Sequence, residues 1–100
     1  MSFSDAKPSI LDTVHDAVEQ ELRYLRSQGF PLKAGFDAVA RKMGVTARRI
    51  RQIHERRITD DVISAREWLA AVELNTQRRR ARIAAARALL EQEALHDVAP

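Results

Sequence analysis

From Val45 to Ala99 the sequence runs 55 residues without one Gly or Pro. Those two residues interrupt helices most strongly, one through backbone freedom and the other through a missing N–H. Their absence over more than half the chain leaves helix as the expected content. Composition agrees, because the good helix formers Ala, Leu, Glu, Gln, Arg and Lys make up 54 of the 100 residues. Four Thr, seven Val and six Ile are the β-branched residues, and no stretch alternates apolar and polar side chains strictly enough for a strand. The expected fold class is all-α.

At 100 residues, 45% hydrophobic and 31% charged, the chain suffices for one folded domain with one core and excludes a two-domain enzyme. It has no Cys, which removes disulfides, thiolate metal sites and cysteine nucleophiles, and suits a reducing cytoplasm. The longest apolar run, Trp68 to Val72, is five residues, where a membrane span needs about 20. No membrane partner is expected.

Within a single helical domain, residues 8–29 read as an N-terminal helix. Ser9 is its N-cap, Asp12 stands in capping-box position, and Gly29 is its stop. Leu11, Val14, Val18, Leu22 and Leu25 form its apolar stripe. Residues 33–57 read as two helices: Lys33 to Met43, ended by Gly44, and a third capped by Thr46 that continues to Arg57. Residues 59–95 form a C-terminal arm capped by Thr59, with Asp60 and Asp61 in its first turn where the helix dipole favours acids. As one rod the arm is roughly 50 Å long; Asn75 and Thr76 are the place where it can break in two. Met1 to Lys7 and His96 to Pro100 read as frayed tails.

The net charge of +3 hides a segmented pattern. Residues 32–58 carry +6 and residues 78–90 carry +5, between segments of −2 (1–31), −3 (59–77) and −3 (91–100). Arg outnumbers Lys 14 to 3, which fits bidentate phosphate and base recognition, although the ratio alone is better read as the mark of a GC-rich genome.

The basic middle segment contains the chain's strongest motif. Phe36 to Glu55 reads FDAVARKMGVTARRIRQIHE. Ala40 is small enough for two helices to cross closely, Gly44 supplies a positive φ at the turn, and Val39, Met43, Val45, Ile50 and Ile53 form a shared apolar interior. At 100° per residue, Ala47, Arg48, Arg51, Gln52 and Glu55 cluster opposite Ile50 and Ile53. That is the layout of a helix-turn-helix whose second helix enters the major groove; an ordinary helical hairpin with a solvated charged face is the alternative. The run Val45-Thr46-Ala47-Arg48-Arg49-Ile50-Arg51-Gln52-Ile53 resembles the recognition helix of the last DNA-binding region of primary bacterial sigma factors, which reads the −35 promoter element. Seven of the nine positions match; Ala47 and Arg48 stand where that family has Arg and Glu. The resemblance supports the motif and does not extend to sigma activity.

On this reading Arg51 and Gln52 are the leading base readers, Arg suiting guanine and Gln suiting adenine, with Arg48 a third and Ala47 a contact for a thymine methyl. Lys33, Arg41, Lys42, Thr46, Arg49, Arg56 and Arg57 are candidates for phosphate contact. For Arg49 and Arg57 a salt bridge to a neighbouring helix is the competing role.

Other constellations offer less. His15, His54 and His96 lie on three separate segments without metal-ligand spacing. His15 between Asp12 and Asp16 has neither a nucleophile nor a glycine-rich phosphate loop beside it, so no catalytic, metal or cofactor site is expected. The block Arg78-Arg79-Arg80-Ala81-Arg82 admits three roles: a second phosphate-contacting strip, an RNA-binding helix, or the polar face of an arm paired with acids such as Glu73, Glu91 and Glu93. Around it Val62, Leu69, Thr76, Ile83 and Leu90 recur every seven residues, with Ala65, Val72 and Ala86 at the intervening positions, a seam that Thr76 and Arg79 break. Trp68 reads as a packing residue of a core or dimer interface. The functional expectation is a homodimeric regulator of transcription, cytoplasmic and nucleoid-associated, bacterial or phage in type, which binds double-stranded DNA and touches the transcription machinery. A DNA-packaging or architectural oligomer and a helical protein-interaction adaptor are the alternatives.

Overall fold

A computed structural model describes residues 9–98. Four α-helices follow in order: α1 (Ile10–Ser27), α2 (Leu32–Met43), α3 (Ala47–His54) and α4 (Ala65–Val98), with one 3₁₀ turn at Asp60–Val62. The described residues contain no strand, and no helix among them is long and apolar enough to cross a membrane. Met1–Pro8, Ala99 and Pro100 lie outside the described residues.

The first helix forms as its sequence dictates. Ser9 Oγ accepts from the Asp12 N–H at 3.0 Å, and at the other end Phe30 N–H donates to Leu25 O while Gly29 N–H donates to Arg26 O, both at 3.0 Å. Val14, Ala17, Val18, Leu22 and Leu25 are buried on its inner face. That face packs against the other three helices, meeting Val39, Ala40 and Met43 of α2, Ile50 and Ile53 of α3, and Ala71 and Leu74 of α4 in one core. Fully burying a Val or Ile contributes about 1.5–3 kcal/mol, and Val14, Val18, Val39, Ile50 and Ile53 are all 0% exposed.

The turn between α2 and α3 is three residues long. Gly44 takes φ 70°, which lets Val45 N–H donate back to Ala40 O at 3.0 Å. Thr46 then caps α3 by accepting from the Arg49 N–H at 3.1 Å. Helix α3 ends at His54, short of the expected Arg57, because Arg56 adopts φ 55° and Arg57 N–H turns back to Gln52 O at 2.9 Å. The sequence carries no glycine to announce this stop.

The arm departs from expectation at its start. Thr59 precedes only the 3₁₀ turn, and Asp60 Oδ1 accepts from the Leu11 N–H at 3.0 Å, at the free end of α1. The long helix is capped instead by Ser64, whose Oγ accepts from Glu67 N–H at 3.1 Å while Glu67 Oε1 accepts from Ser64 N–H at 3.0 Å. This reciprocal capping box satisfies two otherwise unpaired donors. Beyond it α4 is a single rod through Asn75 and Thr76: Thr76 Oγ1 donates to Val72 O at 2.9 Å, which absorbs the hydroxyl within the helix. The rod runs past Leu95 and through His96.

One buried charge fastens α4 to the bundle. Glu21, 1% exposed, accepts from Arg78 Nη2 at 2.5 Å, Arg78 Nε at 3.1 Å and Lys42 Nζ at 3.0 Å. The Arg78 guanidinium also lies 3.4 Å from the centre of the Tyr24 ring. Past Arg82 the rod leaves the bundle, and every described side chain from Arg79 to His96 is exposed. The result is a molecule 61 Å long with a radius of gyration of 17.2 Å, where about 13 Å is usual for 100 compact residues.

Two measurements check this account. Gly44→Ala forces an alanine into the left-handed region, at a cost of about 1–2 kcal/mol, and the thermal midpoint should fall by several degrees with helix content unchanged. Burial pushes the Glu21 carboxyl up, but the hydrogen bonds from Arg78 and Lys42 outweigh it and hold it below its ordinary value of 4.5. Its contribution is therefore complete above pH 4.5 and is lost as pH falls through the lowered value. Glu21→Gln leaves two cations without a counter-charge and should cost about 3 kcal/mol in chemical denaturation. The variant should also flatten the loss of stability in acid.

Candidate nucleic-acid interface

Helix α3 is held by one face and offers the other. Ile50 and Ile53 are fully buried, so the opposite side of this two-turn helix must face outward. There Arg48 and Arg51 are exposed and Gln52 is half-buried, and together with Glu55 and Arg57 they line a shallow depression. Ala47 is half-buried, packed against the core, and reaches a second groove shared by Arg48, Arg51, Lys33, Phe36 and Asp37. All four residues expected to read bases thus lie on one continuous surface between the start of α2 and the end of α3.

The electrostatics of that surface are set by Glu55. It receives Arg51 Nε and Arg57 Nε, each at 2.9 Å. Both arginine side chains are strongly exposed, 69% and 74%, so these pairs are worth about 0–1 kcal/mol and give way readily to another anion.

The residues expected to touch phosphate separate into two groups. Lys33 and Arg41 have no ion-pair partner among the described residues and remain exposed, as does the base-reading candidate Arg48, while Arg57 pairs only with Glu55. Thr46 is exposed, with its oxygen engaged in the cap. Lys42 is turned to Glu21, and Arg56 to Asp12 Oδ1 at 2.8 Å, where it holds the Asp12 carboxyl below its usual value. Arg49 belongs to the fold. Its Nε donates to Glu67 Oε2 at 2.6 Å, and its Nη2 donates to Glu67 Oε1 at 3.0 Å and Val62 O at 2.6 Å. Hydrogen bonding to Arg49 holds the Glu67 carboxyl below its ordinary value against the opposing effect of burial, and the same bonding raises Arg49. The pair ties α3 to the start of α4 and so fixes the tilt of the exposed face.

One cation escaped the sequence reading. Arg66 lies in a segment of net negative charge, yet its guanidinium hangs over the α2–α3 turn, 3.7 Å from where a Cβ on Gly44 would sit. Its place after the Ser64 cap was the available signal.

The remaining candidates fall elsewhere. His15 and His54, distant in sequence, meet at Glu19, the first at 3.6 Å and the second in direct contact through Nδ1, while the His54 ring lies 5.3 Å from that of Phe36. Among the described residues no group of three or more His, Cys, Asp or Glu is placed to hold a metal ion. In the arginine block Arg78 is bound to Glu21, not to Glu73, Glu91 or Glu93, and Arg82 reaches Gln20 at 3.3 Å. Trp68 is 38% exposed on the flank of α4. No protein-family model, curated protein or solved structure matches the chain.

The split between Arg48 and Arg49 can be measured in thermal melts. Arg49→Ala should cost about 2 kcal/mol through lost charged hydrogen bonds, and Arg48→Ala should leave the stability within about 0.5 kcal/mol of the parent.

Proposed function

We propose that the chain is a sequence-specific double-stranded DNA-binding protein, a small homodimeric regulator of transcription whose α2–turn–α3 unit works as a helix-turn-helix. The observation that carries this reading is that exposed Arg48 and Arg51 and half-buried Gln52 share the outer face of a helix whose apolar back, Ile50 and Ile53, is fully buried. A short helix pinned in this way presents guanidinium and amide groups at fixed spacing, as reading base edges in a major groove requires. Lys33 beside it, Arg66 over the turn and exposed Arg41 on α2 are free cations suited to phosphates, which position without specifying. Lys42 and Arg49 are engaged with buried carboxylates and contribute little to that role, whereas Arg56, whose pair with Asp12 is exposed on both sides, is released as readily as Arg51.

Selection of bound duplexes from a random library, repeated at two salt concentrations, tests the reading. Enrichment of a two-part palindrome is expected, and failure to bind any duplex at low salt would overturn it. Arg51→Ala or Gln52→Ala should relax preference at individual positions by about 1–3 kcal/mol. Arg41→Ala should weaken binding to all sequences alike and flatten the salt dependence. Glu55→Gln, which releases Arg51 and Arg57, should tighten binding to random DNA.

A further inference from the structure

We propose that the outer half of α4 pairs with the same segment of a second copy running in the opposite direction. The proposal rests on the homodimer of the reading above and names its contact surface. Ile83 and Leu90 are 48% and 64% exposed, seven residues or about two turns apart, and lie on a stripe roughly opposite the face that Ala71, Leu74 and Arg78 turn to α1. Among the described residues, nothing in the chain's own bundle covers them.

The occupant is identified by the charges beside the stripe. Arg80 and Glu91 are 11 residues apart, about three turns, and so share one side of it; Arg82 and Glu93, also 11 apart, share the other. Two helices in antiparallel contact bring like sides together. With the two-fold axis between Ala86 and Arg87, Ile83 of one copy lies beside Leu90 of the other, while Arg80 meets Glu91 and Arg82 meets Glu93, each twice by symmetry. Parallel contact brings opposite sides together instead, which sets Arg80 beside Arg82 and Glu91 beside Glu93, all of like sign. The two Arg87 side chains also meet beside the axis, but each stands four residues before Glu91 on its own helix, which offsets their like charge. With four Arg–Glu contacts the segment is complementary to itself in this orientation and repels itself in the other. The 3.3 Å contact of Arg82 with Gln20 is neutral on one side and yields to a carboxylate.

Sedimentation equilibrium without DNA provides the test, with circular dichroism to confirm folding of each variant. The wild-type chain should dimerise reversibly. Arg80→Glu with Arg82→Glu, or Glu91→Arg with Glu93→Arg, should raise the dissociation constant at least about ten-fold, and the four changes together should restore it. Because the sequence has no Cys, single cysteines report orientation. Ala86→Cys lies near the axis and should form a disulfide-linked dimer, whereas Glu93→Cys should not, its two copies being about 20 Å apart. A chain that stays monomeric, a four-fold variant that stays dissociated, or ready cross-linking through Glu93→Cys would each overturn the proposal. Since no DNA is present, this result and that of the duplex selection fail or stand separately.

Discussion

The bundle depends on one buried carboxylate. Glu21 sits on the inner face of α1 and accepts from a lysine of α2 and an arginine of α4, so that three helices converge on a single charge. The apolar side chains that α4 brings to the core are few and mostly small, Ala71 and Leu74 with Ala70 packed beside them, and small side chains specify register weakly. A bidentate guanidinium fixes both position and phase. The Arg49 to Glu67 pair repeats the device at the other end of the interface, where it sets the attitude of α3. Two charge clusters thus orient what the hydrophobic effect assembles, and among the described residues no buried side-chain polar atom is left without a partner.

Much of the bundle was legible because local chemistry and global packing agree. Ser9 with Asp12, Gly29, Gly44 and Thr46 mark helix ends by mechanisms confined to a few neighbouring residues, and the stripes of α1, α2 and α3 follow from helical periodicity. What escaped was decided over longer distances. A glutamate within an amphipathic helix reads as solvated until Arg78, 57 residues away, is known to face it. The true start of α4 was present as Ser64 and Glu67, but Thr59 followed by two aspartates gave the stronger-looking signal a few residues earlier. The left-handed turn at Arg56 had no local signal at all.

The candidate surface shows the same division. Periodicity alone separates Arg48, Arg51 and Gln52 from Ile50 and Ile53, because α3 is short and its back is wholly apolar. It cannot tell Arg48 from Arg49, adjacent residues of one type, one exposed and one locked to Glu67. Charge counted along the chain likewise places Arg66 in an acidic stretch, whereas in space it joins the basic turn.

The unbroken passage of α4 through Asn75 and Thr76 makes the arm a gauge as well as a connector. If its outer half carries a two-fold axis, the reading faces stand at a separation and angle counted out in helical residues, with no hinge to absorb error. Every residue inserted between the bundle and the axis would move each face by about 1.5 Å and turn it by about 100°. A duplex repeats every 34–36 Å or so, so such a ruler selects among half-site spacings before any base is touched. Lengthening it by seven residues would nearly recover the phase but displace each face by about 10 Å, a change of address written in the arm and not in the recognition helix.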